Sequence, residues 1–484
     1  MPVRDATGPA GPAAAPAAPG RAGGPIRRAA HLIIGPARRV RDGGHLTFLV
    51  VITLAAGVRA LVMLGYDTAQ LYWYDSFTYL DTAVHLQPSG ALHPAGYPFF
   101  LRMLLPFHSV RLVAAVQHLM GLGMGVLIYA LLRRRGLPGW AAALAPLPVL
   151  FDPAFVRLEH AVLADTQTMF LVVAALVVLL WRPVPTVPAA AAAGLLVALA
   201  GLSRTVAVPL VGLFALYLLV RRAGARRVAA LAVAGVLPLA GYAAWYQAHH
   251  GRFALSGSDG VALWARTMTF ADCSVIRPPA AEAALCPNGT VVDAASEYVW
   301  APGAALNRLP GDRFSHNDLA RSFALRAIAA QPLDYLADVA RDTSLAFAWT
   351  PVRHPLRVVP TLTFPVGSWP LPGHALIGKV RQEYDGTIRG MSSVQPYARA
   401  LGAYTYPEVL HGPLFGVLLL IGGIGAAGRR RAAALPWMTA AFLLVAPVAA
   451  LDFDHRYMLP AVPVACLAAA IALHDLAGRR RKYR

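Results

Sequence analysis

Long apolar runs, separated by short breaks rich in arginine or aromatic residues, occupy most of the chain. Runs over 46–66, 109–131, 161–181, 187–203, 205–220, 229–247, 411–427, 434–450 and 457–475 approach or reach the ~20 residues that a membrane-crossing helix needs. A shorter run over 139–151 predicts a tilted or partial crossing. Residues 248–408 hold no such run, and this stretch is read as a large extracytoplasmic region. Within it, 323–347 has helical periodicity, and 336–349 predicts an interfacial or dipping helix. Between the first two runs lies an outer loop, 67–107, whose aromatics Tyr72, Trp73, Tyr74 and Tyr79 suit a membrane interface. Aromatic spacing over 74–84 predicts a short amphipathic helix there. The fold class is therefore mainly α: a polytopic transmembrane helical bundle of about 10–12 spans.

Composition agrees. Of 484 residues, 57% are hydrophobic and 14% charged, against about 25% charged in soluble domains. A net charge of +19 raises the question of nucleic acid, and the placement of that charge excludes it. Only Lys379 and Lys482 are lysines; the arginines cluster at 133–135, 221–227, 429–431 and 479–481, where apolar runs end. That is the positive-inside pattern of a protein in a lipid bilayer. It divides the chain into a disordered basic cytoplasmic tail (1–45), an N-terminal transmembrane module (46–247), the outer region (248–408), C-terminal spans (409–476) and a second basic cytoplasmic tail (477–484). The first tail does not resemble a cleavable signal, because the apolar run behind it is long and lacks a small-residue cleavage site. With both termini cytoplasmic, every arginine cluster lies inside, and the loop around Asp75, the stretch 157–165, Arg204 and the turn 451–457 lie outside. Two further spans hidden in 248–408 would preserve this parity; one would break it. Cys273 and Cys286 sit thirteen positions apart in the outer region, where a disulfide is permitted. Cys466, within a span, reads as a small buried hydrophobe.

Four constellations carry candidate chemistry. Asp75 and Asp81 stand among aromatics in the first outer loop. They are either solvated acids paired with nearby arginines, or Asp75 is a general base for an acceptor hydroxyl and Asp81 a substrate contact or a cap. Glu159, His160 and Asp165 precede a long span. Either they are a helix-start charge cluster, or Glu159 and Asp165 are catalytic and His160 binds substrate; Glu159 is also placed to share a divalent cation with another acid. Arg204 and Arg456, with His455, Tyr457 and the weaker candidate Arg102, would hold a phosphate leaving group, or pair with lipid headgroups. In the rigid turn 93–98, His93 and Tyr97 are substrate-binding candidates, and His93 serves equally as a cap. Arg59 interrupts the first span and is either protein-facing or snorkelling. No nucleotide-type phosphate loop is present.

Taken in order, Asp75, the turn His93-Pro94-Ala95-Gly96-Tyr97-Pro98, Glu159 through Asp165 and Asp454-His455-Arg456-Tyr457 with Pro460 resemble the GT-C superfamily of membrane glycosyltransferases. The branch nearest is that of the protein O-mannosyltransferases and the lipid A aminoarabinose (ArnT-like) transferases. The resemblance implies a GT-C bundle and a sugar donor carried on polyprenyl phosphate. It implies transfer outside the membrane to a cell-envelope glycan, lipid or protein, with Asp75 as base and Arg204 and Arg456 on the phosphate. Two features depart from the pattern: Ala95 stands where a second proline is usual, and Ser76 replaces a second acid, which speaks against tight metal binding. The bias of a high-GC coding sequence makes mannose or arabinofuranose the expected sugars. The competing classes are a transporter or flippase, which would need polar groups at mid-membrane, and a polymer ligase or envelope assembly factor. Convergence of Asp75, Glu159, Arg204 and Arg456 on one outer cavity would favour transfer.

Overall fold

The computed structural model describes residues 44–72, 74–88, 90–356, 364, 366–404, 410–428 and 431–480. The basic tail expected over 1–45 lies outside the described residues as far as residue 43, and so do Trp73, Arg429, Arg430 and the last four residues. The second basic tail, expected from 477, begins instead as the last turn of a helix, Ala461–Arg480.

The apolar runs form helices because a chain in hydrocarbon must satisfy its backbone internally. They span Gly44–Gly65, Val110–Arg134, Asp165–Leu180, Val187–Ser203, Leu210–Val220, Ala225–His250, Gly412–Ala427, Ala434–Ala450 and Ala461–Arg480. Among the described residues, four helical segments are long and apolar enough to cross a membrane: His45–Gly65, Val110–Arg134, Ala225–His250 and His455–Ala477. None of the four lies within 248–408. The short run at 139–151 breaks at Pro146 into Gly139–Leu144 and Leu147–Phe151, since proline removes a donor and crowds the preceding turn.

Polar side chains mark the ends. Ser109 accepts a hydrogen bond from Leu112 N at 3.2 Å and starts Val110–Arg134. Asp152 starts Pro153–Glu159 through Ala154 N at 2.9 Å and also accepts from Leu410 N at 3.2 Å, tying the two transmembrane modules together. In the first outer loop, helices Asp75–His85 and Gly96–Leu104 lie over the bundle. The loop between them is held by Ala225–His250: Tyr242 Oη accepts from Ala95 N at 3.1 Å, and Tyr246 donates to Gly90 O at 2.9 Å. Gly96 is required by a close approach, because a Cβ there would sit 2.4 Å from the Leu202 carbonyl carbon. The His93–Pro98 turn is thereby pressed against the chain that leads into Arg204.

The outer region carries its own core, in which Trp264, Leu285, Leu306 and Phe323 are fully buried. Trp264 Nε1 donates to Leu285 O at 3.0 Å, and Asn317 Oδ1 caps Asp259–Thr267 through Gly260 N and Val261 N. Buried Arg266 pairs with Asp338 at 2.7 Å and with Asp342, fastening this core to helix Pro332–Ser344. Gln331-Pro332 divides the periodic stretch 323–347 into two helices, Asn317–Ala330 and Pro332–Ser344. Cys273 and Cys286 form a disulfide, with Cα atoms 6.1 Å apart. The two short antiparallel strands, Ser368–Trp369 and Met391–Ser392, stand near the outer end of the first helix, where Ser393 pairs with Tyr66.

Candidate active site

A cavity of about 1370 Å³ opens between one end of the helical bundle and the core formed within residues 248–330. Asp75, His93, Arg204, His455, Arg456 and Tyr457 line one end of it. Three separate parts of the sequence thus converge: the first outer loop, the end of Val187–Ser203 and the late turn.

Asp75 sits in the first turn of its helix, where the helix dipole favours a carboxylate. Its Oδ1 lies 3.3 Å from His93 Nε2, and its Oδ2 lies 3.6 Å from the Arg456 guanidinium. The His93 ring packs on Tyr79 with centroids 4.8 Å apart, and Tyr79 meets Tyr97 edge-on at 5.0 Å. Burial pushes the Asp75 carboxyl up, but the bond and charge of His93 and then the Arg456 and Arg204 guanidiniums outweigh it and hold the group well below the usual carboxylate range. Asp454 differs: burial raises its carboxyl and Arg456 only partly offsets this. Its Oδ1 accepts from Arg456 N at 2.9 Å, starting the turn His455–Met458.

Asp165 is fully buried and is not in the cavity wall. It pairs with Arg204 and lies 3.4 Å from Arg456 Nε, so one carboxylate anchors both cations. The Tyr457 ring stands beside them, 4.8 Å from the Arg204 guanidinium carbon and 5.5 Å from that of Arg456. His455 also lines the cavity, and its buried Nδ1 has no hydrogen-bond partner among the described residues. Val206, Pro209, Phe442, Val445, Ala446 and Ala449 give the same cavity an apolar stretch of wall.

The remaining candidates lie elsewhere in the structure. Glu159 is fully buried, outside the cavity lining. Arg59 grips it with two hydrogen bonds, 2.8 and 2.7 Å, and His118 Nδ1 lies 2.9 Å away, so its lone pairs are committed within the bundle. A Cβ on Gly121 would lie 1.9 Å from Glu159 Oε1, and glycine there makes the room. His160 is buried in the same network, against His118 and Thr68 O. Tyr97 is fully buried and donates to Gln117 Oε1 at 2.8 Å. Exposed Arg102 donates to Ala83 O and Val84 O, closing the end of the Asp75 helix. Asp81 pairs with Lys379 at 2.9 Å and with His85 at 3.4 Å, away from the cavity. Thus Asp75, Arg204 and Arg456 converge, and Glu159 does not. Arg59 is protein-facing, and its partner was open to inference, since two charges in neighbouring apolar segments must neutralise each other.

The sequence reading missed Asp452. It is buried, accepts from Ser296 N at 3.0 Å and Oγ at 2.9 Å, and lies 3.0 Å from His354 Nε2. It joins the outer region to the turn bearing Arg456.

Fold and site define a helical protein, with helices apolar enough to cross a membrane, whose cavity sets Asp75 against two arginines. Residues 103–252 match the family model of dolichyl-phosphate-mannose-protein mannosyltransferases. No curated protein sequence matches it. Among solved structures it is similar to the S. cerevisiae protein O-mannosyltransferase Pmt1-Pmt2 complex bound to the sugar donor, at 17% identity and TM-score 0.34, covering 45% of this chain and 35% of that one. It is similar to the Archaeoglobus fulgidus oligosaccharyltransferase in the apo form, at 14% identity and TM-score 0.42, covering 92% and 52%. A third is ArnT from Cupriavidus metallidurans bound to undecaprenyl phosphate, at 14% identity and TM-score 0.35, covering 90% and 78%. The chain spans about a third to a half of the length of the first two.

Proposed function

We propose that this protein transfers a sugar from a polyprenyl-phosphate donor to a hydroxyl of a cell-envelope acceptor, on the extracytoplasmic face of the plasma membrane, with both termini cytoplasmic. The observation that carries the reading is the meeting of Asp75, Arg204 and Arg456 in a cavity with an apolar stretch of wall. The apolar wall suits a polyprenyl tail and the two guanidiniums its phosphate. The acceptor oxygen attacks the anomeric carbon as the bond from that carbon to the phosphate oxygen breaks. The phosphate keeps the electron pair, its charge met by Arg204 and Arg456, and the hydroxyl proton passes to Asp75. One displacement without a covalent intermediate inverts the anomeric centre. A resting carboxyl held so low is a weak base. Phosphate arriving at Arg456 draws off that cation's field and lifts the Asp75 carboxyl toward working strength. The match to mannosyltransferases over 103–252 favours mannose, with arabinofuranose second. Two guanidiniums facing Asp75 leave a divalent cation disfavoured beside it.

Membranes supplied with radiolabelled polyprenyl-phosphate mannose or arabinofuranose test the reading. Wild type should transfer label to envelope material. Arg456→Ala should lower kcat/KM by about 10²–10³-fold, as expected when a donor to developing charge is lost. Undiminished transfer by Arg456→Ala, or no transfer of either sugar by wild type, would overturn it.

A further inference from the structure

The cavity extends beyond the residues assigned above to the donor. Its volume of about 1370 Å³ exceeds the ~300–1,000 Å³ typical of a pocket for one small molecule. Beyond Asp75 its walls pass from the bundle to the outer core, where Ser258, Val261, Glu297, Trp300 and Phe314 line it. Three rings stand there at steep angles. Tyr74 and Trp300 have centroids 6.5 Å apart at 62°, and Trp300 and Phe314 have centroids 6.3 Å apart at 71°. Tyr74 and Trp300 remain 44% and 41% exposed, enough to offer ring surface to a ligand. Arg313 lies 5.1 Å from the Trp300 ring and helps fix its pose. Tyr74 is held at φ 73°, ψ −63°, a strained γ-turn conformation for a residue with a Cβ. Such strain persists where surrounding structure imposes it, and it collects at binding sites. Here it sets the ring of Tyr74 at the cavity wall, one residue before the base.

We infer that this end is an acceptor subsite for a carbohydrate of two or more sugar units, so that the hydroxyl presented to Asp75 belongs to a glycan. The inference rests on the transferase reading above for what Asp75 does, and on the cavity alone for what binds. A sugar ring has an apolar C–H face and a polar rim. Aromatic π-faces carry negative charge that attracts the C–H hydrogens. The Ser258 hydroxyl supplies a donor and an acceptor for the rim. An extended peptide would seek a strand edge, but the two short strands lie outside the cavity wall, and among the described residues this end is built of helices and their caps.

Saturation-transfer NMR on the full chain in nanodiscs tests this. The probes are di- to tetrasaccharides of mannose, arabinose, galactose and glucose, beside a Ser/Thr-rich hexapeptide. At least one saccharide should bind wild type, bind Trp300→Ala at least tenfold more weakly, and recover most of that affinity in Trp300→Phe. Polyprenyl-phosphate binding should be unchanged in Trp300→Ala, which reports a folded chain. No saccharide binding by wild type, equal binding by Trp300→Ala, or binding of the peptide alone would overturn the inference. Saccharide binding together with full transfer by Asp75→Asn would leave the subsite standing and remove the base.

Discussion

Asp75→Asn is expected to lower kcat by about 10²–10⁴-fold, the loss typical when a positioned base is removed. Donor affinity should move the other way. Asp75 lies 3.6 Å from Arg456, so deleting its charge leaves that cation freer to hold phosphate. Slow transfer with unchanged or tighter carrier binding is therefore the signature of the base, and a merely structural acid would not produce it. Equal transfer by both proteins would remove Asp75 from the chemistry and turn attention to Asp165. The pH profile adds a sign. The folded Asp75 carboxyl is held low, so its ion pairing stabilises the fold fully above the unfolded carboxylate value of about 3.9, and this is lost as pH falls through the lower folded value. The free enzyme keeps Asp75 ionised between about pH 5 and 8. An acidic limb of kcat/KM inside that window would then belong to another group, and should persist in any residual activity of Asp75→Asn.

The second large effect concerns stability. Glu159→Gln leaves Arg59 buried without a counter-charge, and removing one partner of a buried pair costs about 3–5 kcal/mol. Thermal unfolding in detergent should show a clear drop. The paired replacement of Arg59 by Met and Glu159 by Leu should recover much of it, because an apolar pair of similar volume carries no desolvation cost. If Glu159→Gln unfolds at the wild-type temperature yet has lost transfer, the carboxylate is serving the reaction and its place in the bundle has been misjudged.

The helices were legible wherever hydrocarbon dictates them. The run read over 187–203 is the helix Val187–Ser203, and the run over 434–450 is Ala434–Ala450, because length and apolarity are what a membrane selects. Asp75, Arg204 and Arg456 were legible for a related reason: charges at the ends of apolar helices have few places to go. Facing was harder to read. Asp75 and Asp81 are six residues apart on one helix, about 240° around its axis, so one enters the cavity and the other meets Lys379. Glu159 and Asp165 are also six residues apart, at the seam between two helices, and the break turns one toward Arg59 and the other toward Arg204 and Arg456. The outer core was not legible at all. Helices as short as Cys273–Ile276 and Ala295–Trp300 carry little periodicity, and what holds the region is long-range: the Arg266 pairs, the Asn317 cap and the Asp452 bridge.

The single carboxylate behind the two arginines has a kinetic consequence. Asp165 answers Arg204 and Arg456 together, and Asp75, with Asp454 beside Arg456, adds negative charge at the same end while it is ionised. In the proposed reaction a phosphodiester donor brings roughly one negative charge, whereas the spent phosphate monoester carries about 1.5 to 2 at neutral pH. Asp75 has by then taken up a proton. The field of the site thus turns more positive as the leaving group turns more negative. On the proposed reaction, the empty carrier should be held more tightly than the loaded one, and its departure, hastened when Asp75 gives up the proton, should set the pace of the cycle.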